Sequence, residues 1–207
     1  MNTLALRHYK ASLHMTERQR QILYGMLLGD GHLERQHGAQ SARLKIEHSV
    51  AQRGYVAWKF AEWRDWVRTP PKERVRKNRL GTVSMNVGFS ILSHIEFEEV
   101  RQRFYVNRRK VVPKDLGLTP LAMAVWFMDD GSRKSKQCRG VYLNTQSFTT
   151  SEVELLRSVV RRDVGVDTTV RQQSDGLQIY VPSSSMTVMV AFIQDEVLPS
   201  MRYKLPD

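Results

Sequence analysis

Two helix-like apolar runs end in acid. Leu27-Leu28-Gly29 leads into Asp30-Gly31, and Trp126-Phe127-Met128 leads into Asp129-Asp130-Gly131, with the two endings 100 residues apart. A carboxylate at a helix C-terminus faces the negative end of the macrodipole, where a cation is the stabilising choice. Placing one there twice does nothing for stability. It makes chemical sense if the acids meet and share a metal ion. Carboxylate oxygens select hard cations such as magnesium, with manganese able to substitute. Such ions activate water and stabilise a leaving 3′-oxygen. In a chain of formal charge +11, the fitting substrate is a phosphodiester.

A second repeat accompanies the acids. Arg108-Arg109-Lys110-Val111-Val112-Pro113 and Met201-Arg202-Tyr203-Lys204-Leu205-Pro206 each place a lysine shortly before a proline. Lys110 follows Asp30 by 80 residues, and Lys204 follows Asp130 by 74. Each ammonium would stabilise charge developing on a scissile phosphate or polarise the attacking water. The spacing leaves both roles open.

These groups must be held by paired elements. Thr16-Glu17-Arg18-Gln19 has capping-box form, and Ile22, Leu23, Met26 and Leu27 follow at helical spacing, predicting a helix to about Gly29. Gly25 and Gly29, four apart, leave one flank bare for a close helix neighbour. Thr119-Pro120 opens the second helix as N-cap and first-turn proline. Period-two alternation predicts strands at 43–48, 82–87, 140–145 and 176–181, each with one polar face. Further helices are expected at about 53–67, 94–105 and 186–197, and from a Ser151-x-x-Glu154 capping box to about Asp163. Trp58, Trp63 and Trp66, at helical spacing, are expected in the core.

The basic surplus is lopsided. Residues 1–114 carry 22 Lys and Arg against 10 Asp and Glu, whereas residues 115–207 carry 10 against 11. With a hydrophobic content of 41%, the chain can bury a sizeable core and still present a basic face to nucleic acid. The single cysteine, Cys138, excludes an internal disulfide and is read as lying in a loop. The six histidines show no paired spacing of zinc type. No apolar run approaches the ~20 residues of a membrane span, and Met1 to His14 lacks a signal-peptide core. The expected setting is intracellular, in a compartment that holds a genome: a bacterial cytoplasm or an organelle.

The runs Leu23-Tyr24-Gly25-Met26-Leu27-Leu28-Gly29-Asp30-Gly31 and Met123-Ala124-Val125-Trp126-Phe127-Met128-Asp129-Asp130-Gly131 resemble the two copies of the LAGLIDADG motif. The chain is similar to the monomeric, two-motif LAGLIDADG homing endonucleases, in particular the branch typified by the yeast mitochondrial omega-intron enzyme. Pro70 to Val75, Leu143 to Phe148 and Tyr203 to Pro206 match in order, so the likeness covers about residues 16 to 207.

The resemblance implies an α+β fold of two pseudo-symmetric αββαββα halves, packed through the motif helices, with saddle-shaped antiparallel sheets facing DNA. The halves then lie at 16–114 and 121–207; residues 1–15, without a counterpart in the family, are read as an N-terminal arm, and the Pro- and Gly-containing stretch from Pro113 to Pro120 sets a linker at 115–120. The resemblance assigns metal binding to Asp30 and Asp130, with Gly29 and Asp129 before them as backbone or structural contributors, and the basic catalytic role to Lys110 and Lys204. It implies a monomer that cuts both strands of a long asymmetric site, leaving 3′ overhangs.

DNA contacts are expected from Arg35, Arg43, Lys45, Glu47, Arg76, Lys77, Arg79, Arg133, Lys134, Gln146, Arg171 and Gln173, on or beside the strands. Arginine to guanine and amide to adenine are the natural major-groove pairings. Glu47 or His48 in one half, and Gln146 or Gln173 in the other, are candidates for ordering solvent in the site. Two rivals share these features: a splicing maturase that uses the fold to bind intron RNA, and a DNA-binding protein without catalysis.

Overall fold

The computed structural model describes residues 3–77 and 81–206. In chain order the elements are α1 (Leu4–Ala11), α2 (Glu17–Leu28), β1 (His32–Glu34), β2 (Arg43–Ser49), α3 (Arg53–Glu62), β3 (Lys72–Lys77), β4 (Val83–Ser90), α4 (Ile95–Phe104), β5 (Tyr105–Val106), β6 (Arg109–Lys110), α5 (Pro120–Asp130), β7 (Gly131–Ser135), β8 (Cys138–Leu143), α6 (Thr150–Val164), β9 (Thr169–Gln173), β10 (Gly176–Val181) and α7 (Met186–Ile193). Apart from α1 and the short β5–β6 hairpin, this is αββαββα twice. Both four-stranded antiparallel sheets have the same order, β1-β2-β4-β3 and β7-β8-β10-β9. None of the described helices is long and apolar enough to cross a membrane.

Local chemistry accounts for the helix ends. Gln19 donates its backbone N–H to Thr16 Oγ1 at 3.2 Å, and the Gln19 side chain accepts from the Thr16 backbone at 3.1 Å, which closes the expected capping box. Thr119 caps α5 by accepting from Ala122 N, with Pro120 in the first turn. The box at α6 differs from expectation. It is formed by Thr149 and Glu152, two residues ahead of the Ser151–Glu154 pair. Both pairs fit the sequence pattern, and Glu152 is further held by Arg109, so tertiary contact selects the earlier one.

The chain divides into two compact units, Met1–Gln19 with Gly31–Arg101, and Arg20–Asp30 with Gln102–Asp207. Most of the first motif helix belongs to the second unit. In the first unit, Leu44, Ile46, Val87 and Phe89 on one sheet face join Trp63, Trp66 and Phe97 in the core. Trp63 and Trp66 lie in the core as expected, whereas Trp58 is only half-buried and stacks on Tyr55 at 5.8 Å. The N-terminal segment read as an arm contains α1. It is capped by Thr3 and tied down by Tyr9 Oη donating to the Asp65 carbonyl and by Lys10 Nζ donating to Ser93 Oγ. In the second unit, Val141, Leu143, Ile179 and Val181 face the core with α5, whose residues from Leu121 to Asp129 are all buried. Cys138 starts β8 rather than lying in a loop.

Candidate active site and nucleic-acid face

The acids are brought together by glycine. A Cβ on Gly25 would lie 2.4 Å from the Ala122 carbonyl oxygen and 2.7 Å from Val125 Cβ, and one on Gly29 would lie 2.5 Å from Asp129 Cβ. Real side chains do not approach so closely, so α2 meets the α5 backbone at Gly25, and Gly29 lies against the Asp129 side chain. That contact sets the two helix ends side by side. Carboxylate oxygens of Asp30 and Asp129 lie within 4.8 Å of each other. Asp30 is exposed, Asp129 is buried at 7% exposure, and Asp130 lies between these extremes. Asp129, expected as a backbone or structural contributor, therefore presents its side chain to Asp30.

Burial, and then the charges of Asp30 and Asp129, push the Asp130 carboxyl up to about 7, while Lys110 and Lys204 pull it down. Burial also lowers the Lys110 ammonium, against the pull of Asp130, Asp129 and Asp30. One cluster thus holds three carboxylates and two ammonium groups. Each lysine also terminates its own half's motif helix. Lys110 Nζ donates to the Gly29 carbonyl at 2.9 Å. Lys204 Nζ donates to the Met128 and Asp129 carbonyls at 2.6 and 2.9 Å. These contacts satisfy helix-end carbonyls and place a cation where the dipole favours one.

The donor set fits a divalent ion. Its crowded carboxylates offer oxygen atoms, and a hard cation would relieve their mutual repulsion. Asp130 also opens onto a cavity of about 470 Å³ lined by Asn144, Gln146, Ser147 and Asp175. Gln146, an expected site residue, therefore stands beside the acid, and sequence reasoning missed Asp175, whose turn position carries no signal.

On the first sheet, register sorts the basic residues. Lys45 pairs with Ser90, Glu47 with Gly88, Arg74 with Asn86 and Arg76 with Ser84, so these side chains share the face opposite the core. Arg43 pairs with Glu34 on the same face and is bonded to it at 2.8 Å. Lys77 pairs with Val83 and points to the other face. Arg35 is held by Glu98, a buried partner. Arg79 lies outside the described residues. Lys72 and Arg74, which sequence reasoning missed, alternate with Arg76 and line an open cavity of about 460 Å³ with Arg43 and Arg68. The period of two was present in Lys72-Glu73-Arg74-Val75-Arg76-Lys77, but every residue of β3 is exposed, so no apolar face marked it.

On the second sheet the corresponding face is aromatic and amide-rich. Tyr142 and Tyr180 lie 5.1 Å apart between ring centroids. Lys134 stands over the Tyr180 ring and Arg171 over Tyr142, at 5.0 and 5.2 Å. Gln173 donates to Gln178, which donates to Asn144, at 2.8 and 2.6 Å. Arg133 pairs with Val141 and so lies on the opposite face, and a register irregularity between Arg133 and Ser135 separates it from Lys134. Neither tyrosine was anticipated as part of this surface.

Two αββαββα repeats, glycine-lined motif helices that bring acids together, and sheets with polar open faces define the double-motif class that the sequence resembles. Residues 20–189 match the model of the LAGLIDADG DNA endonuclease family, and the chain belongs to it. The chain is 30% identical over 192 residues to the cytochrome b mRNA maturase bI2 of Debaryomyces hansenii, covering 89% of this chain and 72% of that protein. It is 25% identical over 212 residues to the "Probable intron-encoded endonuclease 1" of Wickerhamomyces canadensis, covering 99% and 91%. Its fold superposes on that of the homing endonuclease I-WcaI bound to its DNA recognition sequence with a TM-score of 0.93, at 24% identity, covering 100% of this chain and 94% of that one.

Proposed function

We propose that this protein is a site-specific, divalent-metal-dependent DNA endonuclease of the homing type, acting as a monomer and cutting both strands to leave 3′ overhangs. The observation that carries this reading is the cluster of Asp30, Asp129 and Asp130 at the end of two helices in backbone contact, with Lys110 and Lys204 beside it. A divalent ion held by these carboxylates would supply Lewis acidity and an activated water. The aspartates orient the site through fixed helix ends. Lys110 and Lys204 hold those ends in place, and their ammonium groups would stabilise charge that develops on a phosphate. The sheet faces that carry Lys45, Arg74 and Arg76 in one unit and Lys134, Arg171 and Tyr180 in the other are suited to a DNA groove. The setting expected for such an enzyme is a compartment that holds DNA.

Selection on a randomised duplex library, with magnesium and with chelator, tests this. A long unique site, cut only with divalent metal and by neither Asp30→Asn nor Asp130→Asn, is the expected result. Full cutting by either variant would overturn the role given to the acids. A maturase reading is favoured by one observation, the 30% identity to a protein named as an mRNA maturase. Tight binding of an intron RNA with no DNA site selected would replace the first reading by the second.

A further inference from the structure

The open face of β2, β3 and β4 is basic except at one place. Glu47 stands in its middle, between Lys45 and Arg76, and its carboxylate is fixed by three bonds. Arg76 Nε donates to Oε1 at 2.7 Å and Arg76 Nη2 to Oε2 at 2.6 Å. Asn86 Nδ2 donates to Oε1 at 3.1 Å. The glutamate side chain is 19% exposed and the arginine 43%. The carboxylate is held well below the usual range, at about 2, chiefly by Arg76, so it is an anion at any working pH.

A fixed anion in the middle of a DNA-facing surface repels phosphate. It is compatible only with the part of the groove that offers a hydrogen-bond donor. In the major groove those donors are the amino groups of cytosine and adenine. Oε1 already takes two bonds and Oε2 one. Because a carboxylate has about four acceptor sites, Oε2 keeps one.

Arg76 uses its Nε edge on Glu47. A guanidinium has five N–H donors, so the Nη1–Nη2 end edge stays available as a fork. An acceptor beside a two-donor fork is the complement of one base pair in particular. A C·G pair presents guanine N7 and O6 next to the cytosine N4 amino group.

We propose that the Glu47–Arg76 pair, steadied by Asn86, is a base-reading unit that selects a single C·G pair, Glu47 accepting from cytosine and Arg76 donating to guanine. The unit rests on the DNA-cleaving reading above. Replacing the pair with T·A puts thymine O4, an acceptor, against the carboxylate, so that substitution is the most strongly rejected. Neighbouring cations on the same face, such as Lys45 and Arg74, have no such partner geometry and suit phosphate.

The test takes the target selected by the wild-type protein and all its single-base-pair substitutions, cut by wild type, Glu47→Gln and Arg76→Gln. One good bidentate reading is worth about ten- to a hundredfold in discrimination. Wild type should therefore reject substitution at one C·G pair by about that factor, and both variants should lose the preference at that pair alone. Glu47→Gln should gain cutting of targets with adenine there, since an amide pairs with adenine. A loss spread evenly over all targets, or an unchanged preference at every pair, would overturn the proposal and assign the pair to holding the sheet or touching phosphate. Thermal melts separate either result from misfolding. Failure of the wild-type protein to select any DNA site would instead overturn the endonuclease reading itself, which keeps the two failures distinct.

Discussion

Asp130→Asn is expected to stabilise the metal-free protein while it removes cleavage. The Asp130 carboxyl moves from an ordinary 3.8 to about 7, first through burial and then through Asp30 and Asp129. In the native state it therefore keeps a proton that the unfolded chain releases between pH 4 and 7. Stability falls as pH rises through that window, because the unfolded state binds fewer protons. At pH 8 the whole cost is present, with a ceiling of about 4 kcal/mol from the displacement of 3.8 to about 7. Asparagine keeps the shape without the charge. Lys110 and Lys204 lose one counter-charge in the exchange, so a net gain of about 1–3 kcal/mol is expected. Urea unfolding in chelator at pH 4 and pH 8 measures it. The gain should be near zero at pH 4 and full at pH 8. For a protein of 207 residues the melting temperature should rise by roughly 2–4 °C per kcal/mol. A variant less stable than wild type at pH 8, or a difference that ignores pH, would refute the reasoning that charge crowding sets this site. Magnesium should narrow the gap, since it stabilises only a protein that binds it.

Two further outcomes follow from the same geometry. Gly25→Ala places a Cβ 2.4 Å from the Ala122 carbonyl, a backbone atom that cannot swing aside. The helices must separate, at a cost of about 1–3 kcal/mol, read as a lower urea midpoint. Binding to the selected site, followed by anisotropy in chelator, should weaken about a thousandfold or more between 50 and 200 mM salt, because the surplus of cations lies in residues 1–114. An affinity that ignores salt would remove the basic face from the account.

What the sequence disclosed was whatever has a strong local cause. The Gly25–Gly29 spacing, the Thr16 and Thr119 caps and the alternation of 176–181 all correspond to observed contacts. Features decided by tertiary contact were not legible. Lys72-Glu73-Arg74-Val75-Arg76-Lys77 has a period of two but no apolar face to mark a strand, because both its faces are exposed and its pairing with β4 makes it one. Which of Arg133 and Lys134 reaches the open face depends on a register irregularity after Arg133, and no residue there announces it. The Glu47–Arg76 pair joins residues 29 apart, so its geometry appears only when β2 and β3 flank β4.

The lysines resolve the paradox of acids at helix C-termini. Carboxylates there oppose the dipole, and a chain that merely tolerated them would lose stability at both ends. Here each motif helix also receives an ammonium on its final carbonyls, from Lys110 to Gly29 and from Lys204 to Met128 and Asp129. The cation that the dipole calls for is present, supplied from a distant part of the chain rather than from the helix itself. The helix ends can then carry acids without that penalty. The same contact explains why the lysines recur at matched distances from the acids: a lysine that both caps a helix and stands beside its carboxylate can occupy only one place in each half. Acid, lysine and helix end therefore form one unit, repeated.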